Sequence, residues 1–228
     1  MSNKLVTEVG KMAIYTIARD YQLESVIMKS RFICTLRKVN SEEDAQAFIK
    51  SLKKQYWDAT HNCSAYIIGT GGTRERAHDD GEPVGTAGQP MLEVLRKREV
   101  QNVAAVVTRY FGGIKLGAGG LVRAYAGSVN DTVQAAGLAE IVPMGTFALR
   151  QELETIGKVL NTLYQQRLFT VQEVVYGQPA TILLRLPLAE QQQVEAWLTE
   201  TLNTMISIEL IATGFSEQAL SKGDGEKA

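Results

Sequence analysis

Residues 103–125 read VAAVVTRYFGGIKLGAGGLVRAY. The first six, Val103–Thr108, are apolar and mostly β-branched, the composition of a strand buried on both faces. Between Arg109 and Tyr125 lie five of the chain's 20 glycines, with three cations and three aromatics among them. From Leu121 the apolar positions recur at helical spacing: Leu121, Ala124, Tyr125, Ser128, Val129, Thr132, Val133 and Ala136 trace one stripe. Gly137 then supplies a helix stop. A buried strand, a glycine-rich turn and an amphipathic helix in succession predict a layered domain of sheet and helix.

Reading upstream, Phe32–Val39 has strand composition and follows a shorter β-like run, Glu24–Met28. Ser41 opens a helix with Glu42, Glu43 and Asp44 in its first turn, where anions suit the helix dipole. Ser64–Ile68 reads as another core strand, and Gly69 to about Gly88 as a polar, glycine-rich loop. Pro90 starts a further helix, with Met91, Leu92 and Leu95 on its apolar face. Downstream the order is strand Thr146–Leu153, helix Gly157–Gln166, strand Phe169–Tyr176, strand Ala180–Leu186, helix Glu190–Leu202 and strand Ile206–Ala212. That βαββαβ order matches a ferredoxin-like arrangement. The polar end, residues 216–228, reads as a flexible tail.

At 228 residues, 45% hydrophobic and 21% charged, the chain has the composition of a soluble globular protein of one large or two smaller domains. Its apolar runs are far too short to span a bilayer, and MSNKLVTEVGK lacks the pattern of a signal peptide. Two cysteines, Cys34 and Cys63, exclude a disulfide scaffold and an all-cysteine zinc site, so the expected location is the cytoplasm. Net charge is −1 but unevenly divided: +3 through Glu140 and −4 from Ile141 onward. A polyanion would favour the first part.

Three stretches carry candidate chemistry. The glycine turn before a helix N-terminus is a plausible anion cradle, because glycine exposes backbone N–H groups and the helix end is partially positive. Arg109, Tyr110, Gly112, Gly113, Lys115, Gly117, Gly119, Gly120 and Arg123 are its candidate phosphate- or nucleic-acid-binding residues. Neither the Walker nor the Rossmann pattern fits, and the competing reading is a tight loop for helix–sheet packing. Tyr110 is open to stacking on a base, whereas Phe111 is expected in the core. The second stretch is AHDDGEPVGTAGQP, Ala77–Pro90, where Asp79, Asp80 and Glu82 cluster near His78. These carboxylates suit a hard cation such as magnesium, though a solvated loop looks the same, and Thr86 is placed to cap a helix or touch an anion. The third is ATHNCSAYIIG, Ala59–Gly69, in which His61 and Cys63 share one face of an extended chain. A Cys–His nucleophilic pair there lacks an orienting third group.

Taken together, Ser30–Phe32, ATHNCSA (Ala59–Ala65), DDGEP (Asp79–Pro83), GTAGQP (Gly85–Pro90) and VTRYFGGIKLGAGGLVRAY (Val107–Tyr125) resemble the IMPACT family. The resemblance spans nearly all of the chain except the polar tail. It implies an α+β protein: an N-terminal domain over residues 1–140 with the ribosomal protein S5 domain 2-like α/β sandwich, and a ferredoxin-like domain over residues 141–215. The latter resembles the last domain of elongation factor G. Eukaryotic relatives restrain the kinase that shuts down translation initiation in amino-acid starvation, competing for its activator through an extra N-terminal RWD domain. Nothing before Tyr15 is long enough to be that domain, so what carries over is translation-linked binding.

Two functions are therefore expected to compete. One is a non-enzymatic binder of RNA, ribosome or a translation factor, with no cofactor and no membrane contact. The other is a metal-dependent enzyme on a phosphorylated or nucleotide substrate, using magnesium on the DDGEP carboxylates. His61, Asp79, Asp80, Glu82 and Thr86 would form its polar site. The oligomeric state is left open.

Overall fold

A computed structural model of the chain describes residues 14–69 and 74–219. They form an α+β structure of ten strands and five α-helices, divided into two compact units, one made of the described residues up to Ile141 and from Glu217 on, the other spanning Val142–Ser216.

In the first unit β1 is Ile14–Ile17, β2 Tyr21–Ile27, β3 Ser30–Lys38, α1 Glu42–Gln55, β4 His61–Ile68, β5 Arg74–His78, α2 Gly88–Lys97, β6 Val103–Tyr110 and α3 Gly117–Ala136. Five strands make an antiparallel sheet in the order β2-β3-β6-β4-β5. Its centre is β6, whose alternating residues feed two cores. Val103, Ala105 and Val107 pack with α2 and α3, while Ala104 and Val106 pack with Phe48 and Leu52 of α1. A strand with helices on both sides has no polar face, which is why VAAVV is uniformly apolar. Each fully buried aliphatic side chain here contributes about 1.5–3 kcal/mol.

Helix boundaries follow their local chemistry. Ser41 caps α1 by accepting the Asp44 N–H at 3.1 Å, with Lys53 and Lys54 in the last turn. The buried residues of α3 are the stripe Leu121 to Ala136, and Gly137 ends it at φ +73. The helix nevertheless starts at Gly117, not near Leu121: the largely exposed GAGG extends it by one turn in spite of glycine's poor helix propensity. Similarly, α2 starts at Gly88, two residues before Pro90. Part of the expected loop between Gly69 and Gly88 is β5, paired with β4 from Ser64↔His78 to Ile68↔Arg74. RERAH is a charged edge strand without apolar alternation, so its sequence looks like loop.

β7 (Leu138–Gln151) begins in the first unit and continues into the second, where it alternates with α4 (Ile156–Tyr164), β8 (Thr170–Val175), β9 (Ala180–Pro187), α5 (Gln191–Leu202) and β10 (Glu209–Ala219) as βαββαβ. β9 pairs antiparallel with both β7 and β8, and β10 pairs with β7, which gives the order β10-β7-β9-β8. Phe147, Leu149, Ile182, Leu184 and Leu186 of the sheet close a separate core with Val159, Leu163, Val194 and Leu198 of the helices. The first residues of β7, Leu138–Ile141, pair with β1. The tail expected from residue 216 falls partly on β10; residues 220–228 lie outside the described residues. No described helix is long and apolar enough to cross a membrane.

Candidate functional site

The ends of β3, β4 and β6 place Phe32, His61 and Arg109 in one row across the sheet, on the face covered by α2 and α3. The DDGEP loop folds onto that row. Asp80 and Gly81 both have positive φ, +47 and +88, and the Glu82 N–H donates to the Asp79 carbonyl at 3.0 Å, so Asp-Gly makes the tight turn its sequence favours. The turn drives the Glu82 side chain inward, where only 3% of it is exposed. There Glu82 Oε1 accepts from Arg109 at 2.6 Å and from the Tyr125 hydroxyl at 2.7 Å. Arg109 also donates to the buried Ser30 hydroxyl at 3.3 Å.

The three carboxylates of this loop do not converge. Asp79 turns toward α2 and accepts the N–H groups of Gly85, Ala87 and Gly88 at 2.8, 3.1 and 2.8 Å, capping that helix from outside it. Asp80 accepts the Asn62 N–H at 2.7 Å and pairs with Lys53. Burial opposes ionisation at both, yet these donors hold both pKa values below the usual 3.8. Thr86 donates its hydroxyl to the Pro83 carbonyl at 2.7 Å, inside the same turn. Among the described residues no group of His, Cys, Asp and Glu is placed to hold a metal ion.

His61 Nδ1 lies 2.8 Å from the Asp80 carbonyl, which can only accept, so this nitrogen carries the proton. Its Nε2 faces Glu82 Oε2 at 3.8 Å. Cys63 shares the face of His61 but donates its thiol to the Asp79 carbonyl at 2.9 Å. Burial pushes that thiol up to about 12, so almost no thiolate exists at neutral pH. Burial likewise raises the Tyr125 hydroxyl far above its ordinary value. The cluster is a set of polar groups held by one another, with Arg109 Nε buried and without a hydrogen-bond partner, and with His61, Asp79 and Asp80 keeping partial access to solvent.

The glycine stretch is divided among different surroundings. Arg109 is 5% exposed and belongs to the buried cluster, with Phe111 stacked 5.5 Å from its guanidinium. Phe111 is itself 46% exposed, contrary to the expectation of a core position, because it lies past the end of β6. Tyr110 points away from Arg109, donating its hydroxyl to Asp58 at 2.9 Å with Arg31 5.5 Å from its ring. Gly112 is pressed onto the β2–β3 hairpin: a Cβ there would lie 2.0 Å from the Lys29 carbonyl. Gly113 and Gly117 adopt φ +84 and +73 in open space, and Gly120 makes room for Leu116. Lys115, Gly119 and Arg123 face solvent, the Arg123 guanidinium 3.7 Å from where a Gly119 Cβ would sit. Neither cation has a partner among the described residues, and α3 has no side-chain cap and no acidic residue in its first turn.

Sequence reasoning assigned Tyr125 to the helix stripe and gave Ser30 no role. The hint for Tyr125 is a hydroxyl on an otherwise apolar face, since a buried tyrosine needs a partner for its oxygen. Nothing local marks Ser30, whose contacts come from residues 79 and 82 positions away.

The Impact N-terminal domain family matches residues 28–133, which include every site residue above. Over 207 residues the chain is 43% identical to the IMPACT family member YvyE of Bacillus subtilis (strain 168), covering 91% of this chain and 95% of that protein. It is 39% identical over 152 residues to the IMPACT family member YigZ of Escherichia coli (strain K12), covering 61% of this chain and 74% of the relative. The crystal structure of a hypothetical protein superposes with a TM-score of 0.58 at 32% identity, over 88% of this chain and 98% of that one. With the signature stretches folded onto one end of the sheet and a relative matched along almost its full length, the chain belongs to the IMPACT family.

Proposed function

We propose that this chain is a translation-associated binding protein that recognises RNA, the ribosome or a translation factor through the solvent face of its glycine-rich stretch. The observation that carries this reading is the contrast between two sets of polar residues. Glu82, Asp79, Asp80, Cys63 and Arg109 are all engaged by partners within the fold. Lys115 and Arg123 are exposed and unpaired at the uncapped start of α3. A catalytic site needs a base or nucleophile free to meet substrate, whereas a recognition surface needs only accessible charge. The family resemblance supports the link to translation. We read the first unit as an S5 domain 2-like sandwich and the second, from its strand order β10-β7-β9-β8, as ferredoxin-like, similar to the last domain of elongation factor G. Domain limits of 1–140 and 141–215 and a cytoplasmic location belong to the same proposal.

The test is co-sedimentation with ribosomal particles at two salt concentrations, wild type beside Lys115→Ala and Arg123→Ala. Wild type should travel with particles at low salt and less at high salt, and each variant should weaken binding and lower the salt slope by about 1. Absent or salt-insensitive association would remove the proposal.

A further inference from the structure

The tip of the β2–β3 hairpin holds two non-glycine side chains in the left-handed backbone region. Ile27 pairs with Ser30, so Met28 and Lys29 are the two central residues of a two-residue loop, at φ +47 and +64. That loop favours Asn-Gly or Gly-Gly, because other side chains resist the left-handed region. Core packing does not explain methionine here, since Met28 is 54% exposed. The loop is pinned all the same. Gly112 sits directly against the Lys29 carbonyl and donates its N–H to Ser30 Oγ at 3.2 Å.

So fixed, Met28 forms an open cleft of about 300 Å³ with Ile27, Leu116, Gly120, Arg123 and Ala124. Its walls are aliphatic, and its one charge is the unpaired Arg123. Lys29 adjoins Met28 and Lys115 adjoins Leu116, and neither has a partner among the described residues. The surrounding sequence contributes no carboxylate: there is none between Glu24 and Glu42 or between Glu99 and Asp131. A preformed apolar slot beside unpaired cations is complementary to an apolar side chain with a carboxylate next to it. Single-stranded RNA would need aromatic platforms along a groove, and the lining offers none.

We infer that this cleft docks a partner-protein segment in which an aliphatic or methionine side chain enters beside Met28 and Leu116 while an adjacent carboxylate meets Arg123. This rests on the reading of the cationic stretch as a recognition surface and specifies its partner class. The left-handed methionine is then retained for contact, a cost in the free protein that binding recovers.

A random dodecapeptide library displayed on phage, selected against the full chain beside a random single-stranded RNA pool at the same salt, tests it. Enriched peptides should carry Leu, Ile or Met next to Asp or Glu. Fluorescence anisotropy with a synthetic copy should show about tenfold weaker binding to Met28→Asn and to Arg123→Glu. Met28→Asn is the diagnostic variant, because asparagine adopts positive φ more readily, so its Tm should hold or rise while binding falls. A purely structural Met28 would move both together. No peptide enrichment, peptides without the apolar–acidic pair, or binding indifferent to both variants would overturn the inference. RNA enrichment lost in Lys115→Ala, without such peptides, would overturn it and leave the recognition reading intact. Failure of both arms would remove both.

Discussion

The carboxylate of Asp79 gathers three N–H groups at the start of α2, and its ionisation is linked to folding. Burial would raise its pKa, but those donors hold it below the usual 3.8. The stability it contributes is therefore fully present above the unfolded value and is lost as pH falls through the lower folded one. Asp79→Ala should cost about 1–2 kcal/mol at neutral pH, as loss of a helix cap does. Urea unfolding across acidic pH should show a flatter decline for this variant than for wild type, and an unchanged acid limb would count against the cap. The Arg109–Glu82 pair behaves differently because both side chains are almost fully buried, at 6% and 3% exposure. Glu82→Gln or Arg109→Leu alone leaves its partner without full compensation and should cost about 3–5 kcal/mol. The double variant should lose less than the sum, and additive losses in urea unfolding would show that the two do not interact.

At the scale of elements, the glycines that look alike in sequence separate into two kinds. Gly112 sits where a Cβ would be 2.0 Å from the β2–β3 hairpin backbone, whereas Gly119 is helical and meets only the flexible end of Arg123. Gly112→Ala should destabilise by about 1–3 kcal/mol or more by forcing the loop off the hairpin. Gly119→Ala should stabilise by about 0.5–1 kcal/mol, since alanine is the better helix former. Thermal unfolding of the two variants decides this, and equal losses would mean that α3 does not begin at Gly117. The helix stripe from Leu121 and the Ser41 cap were legible from the sequence, because both depend on residues within a turn or two of each other. The edge strand β5 and the early start of α3 were not. RERAH is held by its pairing with β4, which is not a local propensity, and GAGG joins α3 although glycine is a poor helix former.

For the whole molecule, charge and hydrophobicity set the scale of any interaction. The chain through Glu140 carries a net +3, yet most of its cations near the signature stretches already have partners, such as Arg31 with Glu24, Lys53 with Asp80 and Arg109 with Glu82. Around the cleft, among the described residues, Lys115 and Arg123 at the start of α3 and Lys29 at the hairpin tip have no partner and remain for an anion. Partner binding should therefore fall with a log–log salt slope of about −2 to −3. A slope near −6, measured by anisotropy or co-sedimentation, would require a cationic surface elsewhere. By itself the sequence determined the α+β class, most of the elements, the apolar stripes and the family signatures, since periodicity and turn chemistry are local properties of the chain. Only the tertiary structure decided which polar residues are free. It turned Asp79 into a helix cap, Glu82 and Arg109 into a buried pair with Tyr125, and left Met28 and Arg123 facing solvent across a cleft. The availability of a charged group depends on which neighbours the fold brings within about 3 Å of it, and those neighbours lie tens of residues away along the chain.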